Sequence, residues 1–226
     1  MIAERLEDVR ERVYKAALRS GRDPDTIAIV AVSKTHASEQ ITEVINAGQR
    51  ILGESRVQEA LEKIPMFDSS IEWHLVGHLQ TNKVKYAVKL FRLIHSVDSI
   101  KLVDEVNRRS LDMDHVQPIL LQVDVSGEIS KHGLELPKIP QFIHHVSTLK
   151  GVKLKGLMTI PPYFDDPEEV RPYFRKLHEL SKKLPKWGYP SDSKIELSMG
   201  MTHDFEIAIE EGATIVRIGT AIFGSR

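Results

Sequence analysis

Lys34 ends the run IAIVAVSK (27–34), whose Val30, Ala31 and Val32 suit a strand buried on both faces. Flanked by Ser33 and Thr35 and followed by His36, it has two readings. One is an ordinary strand end reaching solvent. The other is a primary amine placed to form a Schiff base with an aldehyde, which requires that the amine lose its proton. Burial beside Val32 and a nearby cation would shift a lysine in that direction.

A second set of residues favours an anion. In LSMGMTHDFEIAIEEG (197–212), Ser198 to Thr202 read as a small glycine-containing turn. A helix follows from about His203 to Glu211, with Gly212 as its cap. Its opening N–H groups and the positive end of its dipole suit a phosphate. In TIVRIGTAIFG (214–224), Gly219 lets a ligand approach the backbone, and Thr220 supplies a hydroxyl and an N–H. Arg217 lies two residues before Gly219, so strand alternation puts the two on one face. It is either the partner of a buried carboxylate or a cation facing a bound ring. A cation about 4 Å from a pyridine nitrogen is worth ~4 kcal/mol at an effective dielectric of about 20. That is roughly three pKa units against protonating the ring, which makes the ring a poor electron sink. Two ligands carry both an aldehyde and a phosphate: pyridoxal 5′-phosphate and a sugar phosphate in an aldolase-type imine.

These residues need a scaffold that brings distant strand ends together. Strand-like runs occur at 27–34, 50–55, 72–77, 92–97, 118–125, 153–160, 194–199 and 214–223, with helical patterns between them. In SEQITEVINAG, Ile41, Val44 and Ile45 form a stripe and Gly48 is the stop; in SIKLVDEVNRRS, Ser99 is the N-cap. DPEEVRPYFRKLHELSKKL has acids in its first turn and lysines in its last, matching the helix dipole. An amphipathic helix, with Ile2, Leu6, Val9, Val13 and Ala17 on one face, precedes them and stops at Gly21. Strands alternating with helices imply a covered parallel sheet. Eight units in 226 residues predict an α/β fold: a (β/α)8 TIM-type barrel with an extra N-terminal helix, spanning 1–226 as one domain. An open doubly wound sheet is the alternative. In a barrel, Lys34, Arg217 and the two phosphate loops share the mouth formed by the carboxyl ends of the strands.

Composition narrows the classes further. A formal net charge of −1 gives no general attraction to nucleic acid or an anionic membrane. NKVKYAVK (82–89) reads as a solvated helix face rather than a basic patch. The absence of cysteine excludes disulfides, thiolate nucleophiles and cysteine-ligated metals. No apolar run reaches the ~18 residues of a membrane span, and the N-terminus lacks the apolar core of a secretory signal. A cytoplasmic protein is expected.

Several long motifs occur in order: AVSKTH (31–36), LGESRVQEALEK (52–63), WHLVGHLQTNK (73–83), HSVDS (95–99), SKHGL (130–134), GLMTI (156–160) and LSMGMTHDFEIAIEEGATIVRIGTAIFG (197–224). Over nearly its whole length the chain resembles the pyridoxal phosphate homeostasis protein family, single-domain relatives of the alanine racemase barrel. The resemblance implies pyridoxal phosphate held as a Schiff base on Lys34, phosphate contacts from the Ser198–Met199 turn and Gly219–Thr220, and Arg217 near the pyridine nitrogen. It also implies a role in intracellular vitamin B6 and amino-acid homeostasis without robust catalysis, with PLP-dependent apo-enzymes or amino acids as further partners. Three positions depart from the family's usual pattern: Ser55 in place of asparagine, Ala37 in place of proline, and Thr202 in place of serine. At Ser55 an amide contact to the cofactor ring is lost or replaced by water.

His74, His78 and His95 flank strand ends and are expected to pack or hydrogen-bond within the barrel; His78, next to Gly77, is the one expected nearest the ligand. No zinc-type spacing of histidines and acids supports a metal. Glu54 and Asp124 also lie near strand ends, as a candidate acid–base pair. The competing function is an amino-acid racemase, which needs acid–base groups on both faces of the α-carbon. Racemases resembling this barrel take the second group, a tyrosine, from an extra C-terminal β-domain across a dimer. No such domain follows the last strand here, so a non-catalytic monomer is expected. A Schiff-base aldolase is disfavoured by Arg217.

Overall fold

The computed structural model describes residues 1–127, 132–190 and 193–224. Ser130 and Lys131 of the SKHGL motif, and Arg226 at the end of the expected domain, lie outside the described residues. Helix α1 (Ile2–Arg19) comes first and ends before Gly21, whose φ is +69°. The chain then alternates: β1 (Ala28–Val32), α2 (Ser38–Asn46), β2 (Ile51–Glu54), α3 (Val57–Lys63), β3 (Glu72–Leu75), α4 (Val84–Leu90), β4 (Leu93–Val97), α5 (Ile100–Leu111) and β5 (Gln117–Asp124). A two-residue strand β6 (Leu134–Glu135) follows, then α6 (Ile139–Ser147), β7 (Val152–Met158), α7 (Arg171–Ser181), β8 (Glu196–Ser198), α8 (Phe205–Glu210), β9 (Ile215–Ile218) and α9 (Thr220–Phe223).

All strand pairings are parallel, in the order β4-β3-β2-β1-β9-β8-β7-β5, and β4 pairs with β5 to close the ring. This is the expected eight-stranded barrel, with β6 added outside it on β5. Every one of the eight strand-like runs holds a barrel strand. Two boundaries are corrected. The helix expected from about His203 begins at Phe205, because residues 202–204 form a turn stapled by Met201 N–H donating to Asp204 Oδ1 (2.6 Å). The last run, expected as strand to 223, leaves the sheet after Ile218 and turns into α9.

Alternation along each strand separates two cores. Ala31, Leu52, Ile94, Leu121, Leu157 and Val216 face outward and pack under the helices. Val30, Val32, Leu93, Leu120, Met158 and Ile215 fill the barrel interior. The interior is not wholly apolar: His74, His95, Ser198 and Arg217 are buried with them. Helix α1 packs against α2, α8 and α9, the helices that flank β1 and β9. Its Arg12 and Arg19 reach Glu206 at 2.9 and 3.0 Å, and Arg171 of α7 reaches Glu210 at 2.8 Å. Both neighbours are thereby clamped to α8, the helix after the candidate anion turn. No helix among the described residues is long and apolar enough to cross a membrane.

Candidate functional site

Register places the strand ends around one mouth. Val32 of β1 sits opposite Gly53 of β2, and Ala31 opposite Ile218 of β9. Gly219 lies beside Val32, where an added Cβ would be 3.4 Å from Val32 O, and Lys34 sits in the turn just beyond this strand end. Lys34 is exposed, in a turn closed by His36 N–H donating to Ser33 O at 3.1 Å. The expected burial beside Val32 does not extend to it. The turn requires Thr35 at φ +64°, a left-handed conformation that is costly for a β-branched residue. His36 then stacks on Phe223 of α9, with ring centroids 4.6 Å apart, tying the Lys34 loop to the end of the last strand.

What holds this turn was not visible in the motif alone. Lys63, at the end of α3, donates to Ser33 O (2.8 Å), Glu54 Oε1 (3.0 Å) and Glu59 Oε1 (2.5 Å). Glu59 also accepts from Thr35 N–H at 2.6 Å, and Ser33 Oγ donates to Glu54 Oε1 at 2.7 Å. Glu54 is fully buried and its Oε2 has no hydrogen-bond partner. Burial pushes its carboxyl above the ordinary value despite Ser33 and Lys63. At Glu59 burial pushes the same way, but the bonds from Lys63 and Thr35 outweigh it and hold the carboxyl below the ordinary range. Glu54 is thus the support of the Lys34 turn. Asp124 instead caps its own loop, accepting from Ser126 N–H and Gly127 N–H at 2.9 Å each.

Arg217 points from β9 into the barrel, on the same face as Ile215. Its guanidinium donates to Ser198 Oγ (2.7 Å) and to Thr159 O (2.9 Å). Burial lowers its pKa to about 10, partly offset by Asp204, so it stays cationic at neutral pH. Among the described residues no carboxylate lies within ion-pair distance of it, so of the two readings the buried-carboxylate pairing is not realised. Ser198 Oγ also lies 2.8 Å from His95 Nδ1, and His95 Nε2 lies 3.0 Å from His74 Nδ1. The Ser198 hydroxyl is therefore engaged inside the barrel, and Met199 is buried with its N–H donated to Ile215 O at 3.1 Å. Within this turn Met201 is exposed and Thr202 half-buried; Thr202 Oγ1 accepts from Ala221 N–H at 3.3 Å, joining the loop after β8 to the one after β9.

Gly200 shapes the turn: its φ is +92°, and an added Cβ would lie 2.6 Å from Ala208 Cβ and 2.9 Å from Phe205 Cα. We expect Gly200→Ala to destabilise the fold by about 2 kcal/mol or more. Urea unfolding with an unchanged m-value would check this; a loss within ~0.5 kcal/mol would show that the turn relaxes freely.

Ser55 and His78 face a different cleft, of about 330 Å³, which they share with Arg56, Gln58, Gln80 and Lys83. It does not include Lys34, Arg217 or Thr220. His78 stacks on His132 with centroids 4.1 Å apart, and its Nδ1 lies 3.6 Å from Asp98 Oδ2. Donor atoms of His78, Asp98 and His132 fall within 4.8 Å of one another.

The family model described as alanine racemase, N-terminal domain, matches residues 6–226. A pyridoxal phosphate homeostasis protein from Aquifex aeolicus is 48% identical over 99% of this chain and 97% of its own. The chain belongs to the pyridoxal phosphate homeostasis protein family. The Escherichia coli K12 member is 37% identical, over all of this chain and 97% of its own. Among solved structures, PipY of Synechococcus elongatus PCC7942 with PLP bound superposes with a TM-score of 0.87 at 34% identity, covering 99% of this chain and 100% of PipY. In this chain four further residues complete the setting. Lys63 and Glu59 brace the lysine turn, and Thr159 and His95 brace the buried arginine. Lys63 had a signal in sequence, the i, i+4 pair with Glu59, and His95 hydrogen-bonds within the barrel as expected, though its partners, like Thr159, lie across the barrel and had none.

Proposed function

We propose that this protein holds pyridoxal 5′-phosphate reversibly as a Schiff base on Lys34 and serves intracellular PLP and amino-acid homeostasis, with no robust catalysis of its own. One observation carries the reading. The exposed Lys34 follows the carboxyl end of β1, which pairs with β2 and β9, at the same end of the barrel as the paired loops after β8 and β9. The relatives' printed name and the PLP bound to PipY support the choice of aldehyde.

The residues present fit the group. In this reading Gly219, Thr220 and Thr202 hold the phosphate from the two joined loops. Ser198 and Met199 contribute by shaping the turn, since their polar groups are already bonded within the barrel. Arg217, buried in the barrel and held by Ser198 and Thr159, would supply a fixed cation to the ring nitrogen. PLP bound there supplies an aldehyde and a ring that can accept electrons. A cation held at the nitrogen opposes ring protonation and weakens that capacity. This favours storage and transfer of the cofactor over racemisation. Ser55 and His78 flank the ring side of the mouth from their neighbouring cleft.

The test is absorption of the purified protein incubated with PLP, followed by borohydride reduction and peptide mapping. A visible Schiff-base band and a reduced adduct on the peptide carrying Lys34 are expected. A colourless protein that stays unmodified in excess PLP would end this reading and turn attention to sugar phosphates.

A further inference from the structure

We propose that Ser198, His95 and His74 form a one-way hydrogen-bond chain that sets the orientation of Arg217, with His95 as the positioning residue at its centre. The consequence for the cofactor rests on the reading of the site just given; the chain itself does not. The four side chains come from four different strands, β9, β8, β4 and β3, and meet in the barrel interior. Successive contacts are 2.7 Å from Arg217 Nη1 to Ser198 Oγ, 2.8 Å from Ser198 Oγ to His95 Nδ1, and 3.0 Å from His95 Nε2 to His74 Nδ1. All four residues are buried, with Ser198 and His95 fully so.

The direction of every proton follows from the first member. A guanidinium only donates, so Ser198 Oγ accepts from Arg217 with a lone pair. The serine has one hydrogen left, and His95 Nδ1 is the acceptor within reach. His95 Nδ1 is then unprotonated. A neutral His95, which its complete burial and the nearby Arg217 enforce, carries its hydrogen on Nε2 and donates it to His74 Nδ1. His74 in turn carries its hydrogen on Nε2, which faces Glu72 Oε2 at 3.9 Å. The reverse assignment fails on count. It leaves the Ser198 hydrogen without an acceptor and turns a lone pair of His74 toward the Glu72 carboxylate. Inside a barrel such an unmade bond is costly, so one polarity is selected.

The second anchor of the guanidinium is the Thr159 carbonyl at 2.9 Å. Thr159 Oγ1 is itself bonded to Val123 O at 2.9 Å, so that carbonyl is fixed by the sheet. With one edge held at two points, the arginine plane has no freedom to turn. Removing His95 lets the Ser198 hydroxyl rotate, so its lone pair is no longer held toward Arg217 Nη1 and the plane loses its definition. The serine is thus assigned to the arginine, a role that its place in a phosphate-like turn does not suggest.

The first test needs no cofactor. In the ligand-free protein labelled with ¹⁵N-histidine, His95 and His74 are expected as neutral rings with Nδ1 unprotonated and Nε2 protonated. An imidazolium, or an Nδ1–H ring at either position, overturns the chain. The second test compares His95→Leu with His95→Gln after loading with PLP. The glutamine amide can accept from Ser198 and donate to His74, whereas leucine does neither. His95→Leu is expected to bind PLP on the order of tenfold more weakly, with a displaced visible band, and His95→Gln to recover most of both. If both variants unfold earlier while affinity and band stay unchanged, His95 is only structural and the proposal fails. If the parent protein takes up no PLP at all, the functional reading falls, and the histidine tautomers still decide the chain.

Discussion

Lys34→Ala is expected to abolish the visible band that PLP produces and to remove borohydride-trapped adduct from every peptide of the protein. The strength of this expectation comes from the neighbouring lysine. Lys63 is close enough to Ser33 to be considered a substitute amine, since its Nζ lies 2.8 Å from Ser33 O. All three of its ammonium protons are engaged, by Ser33 O, Glu54 Oε1 and Glu59 Oε1, and its side chain is only 13% exposed. An amine must be free and accessible to attack an aldehyde, and Lys63 is bound by three acceptors and largely buried. Lys34 is exposed, and no hydrogen bond or ion pair of its ammonium is seen among the described residues. The phosphate loops after β8 and β9 survive the substitution, so weak non-covalent binding should remain. We expect a loss of roughly hundredfold in affinity, equivalent to ~2.8 kcal/mol. Lys34→Arg separates charge from chemistry: it keeps the cation, cannot form the imine, and should fail in the same way. An adduct of parental yield on Lys63 or any other lysine in Lys34→Ala would assign the chemistry elsewhere.

The barrel and its mouth were largely legible because they depend on local signals. Val30 and Val32 alternate with Ala31, Gly48 and Gly212 stop helices, and the eight repeats force closure. Lys34 and Arg217 stood out because each is a cation interrupting an apolar strand pattern. The partners of those cations were not legible. Arg217 meets Thr159, 58 residues away, and Ser198 meets His95, 103 residues away; neither spacing has a period that a single sequence displays. The resemblance implies a phosphate contact from Ser198, and what a single sequence does not display is that alternation along β8 aims its hydroxyl inward, to Arg217 and His95. Strand β6 escaped for a simpler reason: two residues carry no periodicity. Ser55 and His78 follow the ends of β2 and β3, and that they line one cleft with Arg56 and Lys83 is a matter of side-chain packing no periodicity displays.

The second large effect concerns the support beneath Lys34. Lys63→Met removes the cation nearest Glu54, whose side chain is fully buried and whose Oε2 already has no partner. Breaking a buried pair from one side leaves the other charge uncompensated, and a loss of about 3–5 kcal/mol is expected at neutral pH. The pH dependence has a definite sign. Burial raises the Glu54 carboxyl above its ordinary value of 4.5, so the folded protein binds a proton there that the unfolded chain releases. The native state then holds more protons than the unfolded state in that window, and stability falls as pH rises from about 4.5 through the raised value. Losing Lys63 raises the carboxyl further, so the deficit of the variant should shrink on the acid side and grow toward neutrality. Replacing both residues, Glu54→Met with Lys63→Met, removes the buried charge and should recover most of the loss. Urea unfolding of parent, single and double variants across pH reads all three. A single variant within ~1 kcal/mol of the parent at neutral pH, or a double variant worse than the single, would show that Glu54 is not held as a buried partner of Lys63. The two experiments on this corner are coupled through one bond. Glu59 orients the Thr35 N–H at 2.6 Å, and Thr35 keeps its left-handed φ of +64° only while that support is rigid. Since Lys63 is what fixes Glu59, the single variant should also trap less PLP on Lys34, although it leaves the amine itself untouched.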